Sequence, residues 1–203
     1  MSTNTNAAQR YKNFPDTADQ LTELLSERWS PRSFDANSIL SDADLASLLE
    51  AARWAPSASN HQPRKFIVGK RGDAAFAKLS ESLAEVNQLW APQASALILA
   101  IAVNSNSDGE SYHYADYDLG QAVAHLSVQA QALGLQVRQI GGFDKDATRA
   151  GFGLSAELTP RTILAIGTLG DHTGLDPQVL ERESEPRIRK PLTDLVIDWK
   201  PAD

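Results

Sequence analysis

An α+β layered domain is the fold class this sequence predicts, and three observations carry the prediction. Residues 95–103 (SALILAIAV) and 161–169 (RTILAIGTL) are short, continuous apolar runs, the pattern of central strands. The segments around them repeat apolar residues at helical spacing, in the order α-α-β-α-β-α-β-α-β followed by a long tail. The 203 residues, 42% hydrophobic and 22% charged, are enough for one domain with a sizeable core.

Each element has a local reason. Asp16 is placed to cap a first helix carrying Leu21, Leu24 and Leu25, which ends near Arg28. Ser41-Asp-Ala-Asp44 is a capping-box-like start; Leu45, Leu48, Leu49 and Ala52 then mark one apolar face, and Ala55-Pro56 stops the helix. Residues 65–69 (KFIVG) read as a short strand, and Asp73 opens a helix carrying Phe76, Leu79 and Leu83. After the 95–103 strand, NSNSDGES (104–111) reads as a loop. A long helix then runs from about Asp116 to Leu133, burying Leu119, Val123, Leu126, Ala130 and Leu133, with His125 beside that face and Gly134 as its C-cap. LQVRQIGG is a strand ending on a glycine pair, and Asp144 starts a short helix. In the tail, LVIDW (195–199) alternates apolar and polar residues and reads as a final edge strand.

Composition narrows the chemistry. The formal net charge of −7 argues against general binding to nucleic acid or to an anionic membrane. The absence of cysteine excludes disulfides, thiolate catalysis, iron–sulfur clusters and cysteine-based zinc sites. His61, His113, His125 and His172 show no metal-ligand spacing, so no metal site is expected. Residues 1–10 are polar and unlike a signal peptide, and no apolar run reaches membrane-span length. The expectation is a single cytoplasmic domain over residues 1–203, frayed over 1–15.

Four stretches carry candidate chemistry. In ERWSPRSF (27–34), Arg28, Ser30 and Arg32 alternate, and Pro31 disfavours helix at Ser30. On an extended backbone their side chains point one way, as an anion site would require; a solvated loop pairing with Glu27 and Asp35 is the other reading. EPRIRKP (185–191) repeats the logic with Arg187 and Arg189, so two such pairs in an acidic chain suggest one phosphate site closed by the fold. PSASNHQP (56–63) is either a turn-rich connection or a rigid polar loop facing a flat heteroaromatic ligand. In IGGFD (140–144) the glycines allow a planar ligand close to backbone N–H groups, or simply make a tight turn. Gly151-Phe-Gly153-Leu-Ser-Ala156 matches a dinucleotide pattern but follows a helix rather than a strand, so it reads as a helix end plus a turn.

In order along the chain, RWSPRSF (28–34), APSASNHQP (55–63), Asn87, DLGQAVAHLSVQAQALGL (118–135), IGGFD and RIRKPL (187–192) resemble the FMN-dependent nitroreductase family. The resemblance implies a layered fold with a mainly antiparallel central sheet. It also implies a homodimer with FMN sites at the interface, and an edge strand from the 192–203 tail exchanged with the partner. It assigns Arg28, Trp29, Ser30 and Arg32 to the first phosphate and ring-edge segment, and Arg187 and Arg189 to the second basic pair. Asn87 would face the pyrimidine side of the flavin, Gly141 and Gly142 would face N5, and Pro56, Ser57, Ala58 and Asn60 would come from the other subunit. No catalytic side chain is implied, because the flavin carries the chemistry.

Three positions depart from the family pattern. Trp29 stands where a second basic residue is common, Arg64 where an aromatic is, and Trp90 where some members place a lysine near the flavin, leaving Arg32 as the expected sole cation at that edge. The implied reaction is ping-pong reduction of nitroaromatics, quinones or similar acceptors by NADH or NADPH. A specialised flavin reaction such as reductive dehalogenation, and a flavin sensor without turnover, are the alternatives. Residues 104–117 are expected to form a mobile flap, with Tyr112 and Tyr114 as candidate substrate contacts.

Overall fold

A computed structural model describes residues 21–198. Its helices are α1 (Glu23–Ser26), α2 (Asp42–Trp54), α3 (Ala74–Glu81), α4 (Glu85–Gln88), α5 (Ala115–Ala132), α6 (Lys145–Phe152) and α7 (Pro177–Glu183). Its strands are β1 (Arg64–Lys70), β2 (Ala96–Val103), β3 (Gln136–Ile140) and β4 (Leu158–Gly167). They form one sheet in the order β1-β2-β4-β3, antiparallel throughout. This is the α+β layered fold with an antiparallel sheet expected from the sequence.

The two apolar runs became the two central strands because both of their faces are covered. Along β2, Ile98 and Ala100 enter one core layer with Leu48 of α2 and Leu119 and Leu126 of α5. Leu97, Leu99 and Ile101 enter the opposite layer with Phe34, Leu79, Trp90 and Val179. Side chains on a strand alternate between faces, so only an unbroken apolar run can supply both layers.

Several helices start where their caps predict. The Ser41 hydroxyl accepts from Asp44 N at 3.0 Å, Asp73 accepts from Phe76 N at 2.7 Å, and Asp144 accepts from Ala147 N at 2.9 Å. Gly153 takes the left-handed conformation (φ 60°) that closes α6, so the G-x-G-x-x-A stretch is a helix end.

The structure differs from the sequence reading at four points. Leu133 is 39% exposed, because α5 ends at Ala132 and the chain turns away there. His125 is exposed, one residue short of the buried Leu126. The helices α4 and α7 were not anticipated, although Asp176 and Pro177 form a regular helix start. The described part of LVIDW, residues 195–198, is not a strand within this chain, and Ile197 is fully exposed; a strand needs a neighbour to pair with. The predicted positions of Asp16 and Trp199 lie outside the described residues.

Candidate functional site

The two arginine pairs, at opposite ends of the sequence, meet. Arg28, Ser30 and Arg32 line a cleft of ≈ 270 Å³ together with Arg187 and Arg189, and Trp29 joins them. Arg138 of β3 and Arg182 of α7, which sequence reasoning did not select, complete a set of six arginines against two carboxylates, Glu183 and Glu185. In a chain of net charge −7 this is a local reversal of sign. The cations crowd one another: burial first, and then the nearby Arg189, lower the pKa of Arg28. Burial likewise lowers that of Arg32, against which the attraction of Glu183 works. Such a cleft gains stability when an anion enters it.

The 28–33 segment is held there by contacts far away in sequence. Glu183 is 4% exposed and accepts from Arg32 N at 2.8 and 3.0 Å, from Ser33 N at 3.1 Å and from Ser33 Oγ at 2.7 Å. Immediately downstream, Gly170 N donates to Ser33 O at 3.1 Å and Asp35 N to Thr168 O at 3.0 Å, extending the end of β4. A Cβ on Gly170 would lie 2.5 Å from the Phe34 carbonyl carbon, so only glycine permits this approach. From the tail, Arg187 donates to Arg28 O at 3.0 Å and Ser26 O at 2.8 Å, taking up carbonyls at the end of α1. Arg187 therefore has a structural job besides lending charge, whereas Arg189 is exposed beside the cleft.

Contacts through the core link this cleft to the glycine pair. Arg138 lies 5.4 Å from the ring centre of Trp90, and its guanidinium also donates to the Ser30 carbonyl. Trp90 is fully buried and stacks on Phe34 with ring centres 6.2 Å apart. Three residues before it, Asn87 donates through Nδ2 to Gly142 O at 3.0 Å, and Ala84 N donates to the same oxygen. A Cβ on Gly142 would press on Asn87 Nδ2 at 3.0 Å, so the glycine lets the two approach; a Cβ on Gly141 would meet nothing within 4 Å. The fold thus brings Asn87 to the glycine pair, as expected. Arg138 stands close enough to Arg32 for the two charges to repel. Trp90 belongs to the core.

The 56–63 loop is elsewhere, and the arginine cleft contains none of its residues. Ala58 and Ser59 line a second cavity of ≈ 220 Å³ with Tyr112 and Tyr114. The loop is strained: Ser59, Asn60 and Gln62 have φ of 49°, 58° and 51°, a conformation costing about 1–2 kcal/mol for a residue with a side chain. Three anchors impose it. Ser57 Oγ accepts from Gln62 N at 3.0 Å, the buried carboxylate of Asp118 accepts from Ala58 N at 3.1 Å, and Arg64 donates to Ala55 O at 2.7 Å and Arg53 O at 2.9 Å. The departure at Arg64 therefore ties the loop to the end of α2, and exposed Pro56 and Asn60 are presented by a stiff frame. Tyr112 is partly buried against the core and packs on His61 with ring centres 4.9 Å apart, while Tyr114 is exposed. Residues 104–111 are folded back on themselves, with a Ser105–Ser111 bridge and an Asn106 side chain that accepts from Asp108 N and Glu110 N.

The model of the Nitroreductase family matches this chain over residues 25–95 and 70–170. The chain belongs to the nitroreductase family. Among nitroreductase-like proteins of solved structure, an FMN-containing oxidoreductase superposes with a TM-score of 0.83 at 33% identity, covering 97% of this chain and 96% of the other. A putative NAD(P)H nitroreductase of Bacillus subtilis strain 168, YdgI, is 27% identical over 217 residues, 88% of this chain and 96% of that protein. An uncharacterized 15.4 kDa protein of Mycolicibacterium smegmatis is 37% identical over 133 residues, 62% of this chain and 88% of its own length. Among the described residues of the chain, no helix is long and apolar enough to cross a membrane.

Proposed function

We propose that the protein is an FMN-dependent oxidoreductase that takes electrons from NADH or NADPH and passes them to nitroaromatic, quinone or similar electrophilic acceptors. The observation that carries this reading is the convergence of Arg28, Arg32, Arg187 and Arg189 on one cleft of an otherwise acidic chain. Guanidinium forks suit a phosphate dianion, and Asn87 with the exposed Gly142, tied to each other, suits the polar edge of a flat ring. The family membership and the FMN and NAD(P)H named for its relatives point the same way.

Bound FMN would supply the two-electron chemistry, alternating between donor and acceptor in one pocket. The chain's own residues bind and orient. Arg28, Arg187 and Arg189 would hold the phosphate, with Ser30 beside them; Arg32 would serve the ring edge; Asn87 would serve the polar side of the ring, and Gly141 and Gly142 would leave room for backbone contact at its reactive centre. Ser57, Ala58 and Asn60 cannot reach the same cleft within one chain, which supports a homodimer in which the partner donates that loop. The exposed Leu192, Leu195 and Ile197 support a tail that packs on the partner. Tyr112 and Tyr114 are the candidate contacts for the acceptor. A cytoplasmic location, which cell fractionation would check, follows from dependence on a nicotinamide pool.

The test is an absorption spectrum of the purified protein, with the flavin identified after denaturation, followed by steady oxidation of NADH or NADPH with an added acceptor. A flavin spectrum without turnover identifies a sensor; absence of flavin binding after incubation with FMN defeats the reading.

A further inference from the structure

Arg138 is a cation that phosphate binding does not require. It sits on β3 two residues before the buried Ile140, so it shares that residue's face of the strand, the face turned toward the Phe34–Trp90 layer. A charge there is costly, and burial, followed by repulsion from Arg32, pushes its pKa down to about 10. At neutral pH the side chain nevertheless remains charged. Its position is fixed in advance by the indole of Trp90 at 5.4 Å and by the Ser30 carbonyl. Trp90 cannot move, because it is fully buried and stacked on Phe34.

Place along the cleft separates Arg138 from the other arginines. Arg28 and Arg189 are close enough to repel one another, and Arg187 is tied to carbonyls 26 and 28, so these three mark the outer end. Arg138 and Arg32 mark the inner end, where Arg138 lies over the buried Trp90, three residues along the chain from the Asn87–Gly142 contact. The phosphate of FMN carries the same charge whether the flavin is oxidised or reduced. The ring does not: it is neutral when oxidised and gains negative charge on its pyrimidine side when reduced. Cations at the outer end therefore stabilise both states alike, and a cation at the inner end favours the reduced one.

We propose that Arg138, held against Trp90, is a redox-tuning residue of the site, binding reduced FMN in preference to oxidised FMN. This rests on the FMN reading above. It also gives Trp90 a role, as the seat for a charge that arrives from a neighbouring strand. A purely structural Arg138 would support the Ser30 carbonyl and so affect both flavin states equally.

The experiment compares the wild type, Arg138→Gln and Arg138→Lys. Gln keeps a donor for Ser30 O and loses the charge; Lys keeps the charge. The affinity for oxidised FMN is measured by fluorescence titration and the midpoint potential by equilibration with a reference dye. The affinity for reduced FMN follows from the two. The expected result for Arg138→Gln is a loss of affinity for reduced FMN at least tenfold greater than for oxidised FMN, a fall of about 30 mV for a two-electron couple. Arg138→Lys should recover most of that fall. If Arg138→Gln does not fold, Arg138→Met, which keeps a stem against Trp90 and loses the charge, takes its place, with the same fall expected and Arg28→Ala, at the outer end, showing none. A potential in Arg138→Lys that falls as far as in the uncharged variant overturns the proposal. Equal losses for both flavin states in Arg138→Gln also overturn it and leave the FMN reading standing. A wild type that binds no FMN overturns both.

Discussion

Replacing Glu183 with alanine tests how the arginine segment is held. The carboxylate is buried and takes three donors, the N–H groups of Arg32 and Ser33 and the Ser33 hydroxyl, with the Arg32 guanidinium 3.8 Å away. Removing it leaves two buried or half-buried amides and a hydroxyl without their acceptor, and Arg32 and Arg138 without their nearest counter-charge. Each unmet donor costs about 1–3 kcal/mol, but the values do not add and water can enter from the cleft. The scale for breaking a buried charge pair from one side, about 3–5 kcal/mol, is therefore the expected loss. That is a large part of the roughly 5–15 kcal/mol of a whole domain, yet survivable. Glu183→Gln keeps one oxygen for the Ser33 donors and should cost less. The assay is urea unfolding of flavin-free protein at fixed concentration, read by tryptophan fluorescence and by circular dichroism. A loss below about 1 kcal/mol for Glu183→Ala would refute the reasoning, because a merely solvated carboxylate costs that little.

Arg28→Ala is expected to weaken FMN binding by about 1.5–3 kcal/mol, the scale of a charge-assisted hydrogen bond, and the more exposed Arg189→Ala by less; wild-type affinity in both would remove the two arginines from the phosphate site. Replacing Tyr112 and Tyr114 together with alanine should alter preference among acceptors more than FMN affinity, and identical steady-state kinetics across several acceptors would remove them from the substrate site. Deleting residues 193–203 should reduce dimer stability and FMN retention together. A truncated protein that sediments as a dimer with full flavin occupancy would contradict the proposed tail exchange.

What the sequence revealed follows from how local each feature is. β2 and β4 were legible because unbroken apolar runs have few other uses, and α2, α3 and α6 because Ser41, Asp73 and Asp144 cap them from the adjacent residue. The arginine pairs were legible as types and spacing. Their meeting was supplied by resemblance, and it depends on packing that no local pattern encodes. Arg138 was missed although it carried a signal, a charge on the same strand face as the buried Ile140. Glu183 had none: it is one of several acids in ERESE, and only its docking on Arg32 and Ser33 distinguishes it. The tail resisted for a different reason, since its described apolar residues Leu192, Leu195 and Ile197 are largely exposed and little in the core defines their conformation.

The bond from Arg32 N to Glu183 joins residues 151 positions apart in a chain of 203, so most of the polypeptide lies between the two halves of the cleft. Closing so long a loop costs little more than closing one half its length, because the entropy grows only logarithmically. The cleft is a seam between segments from opposite ends of the described chain, outside the β2–β4 ladder, so it can part while β2 and β4 stay paired. Amide exchange at Arg32 and Ser33 is therefore expected through a lower-energy local opening than exchange at Leu97 and Leu99, with ligand closing that gap. The same arrangement makes cofactor loss and global unfolding separate events, so a protein that has shed its FMN would still retain its core and be ready to take the cofactor up again.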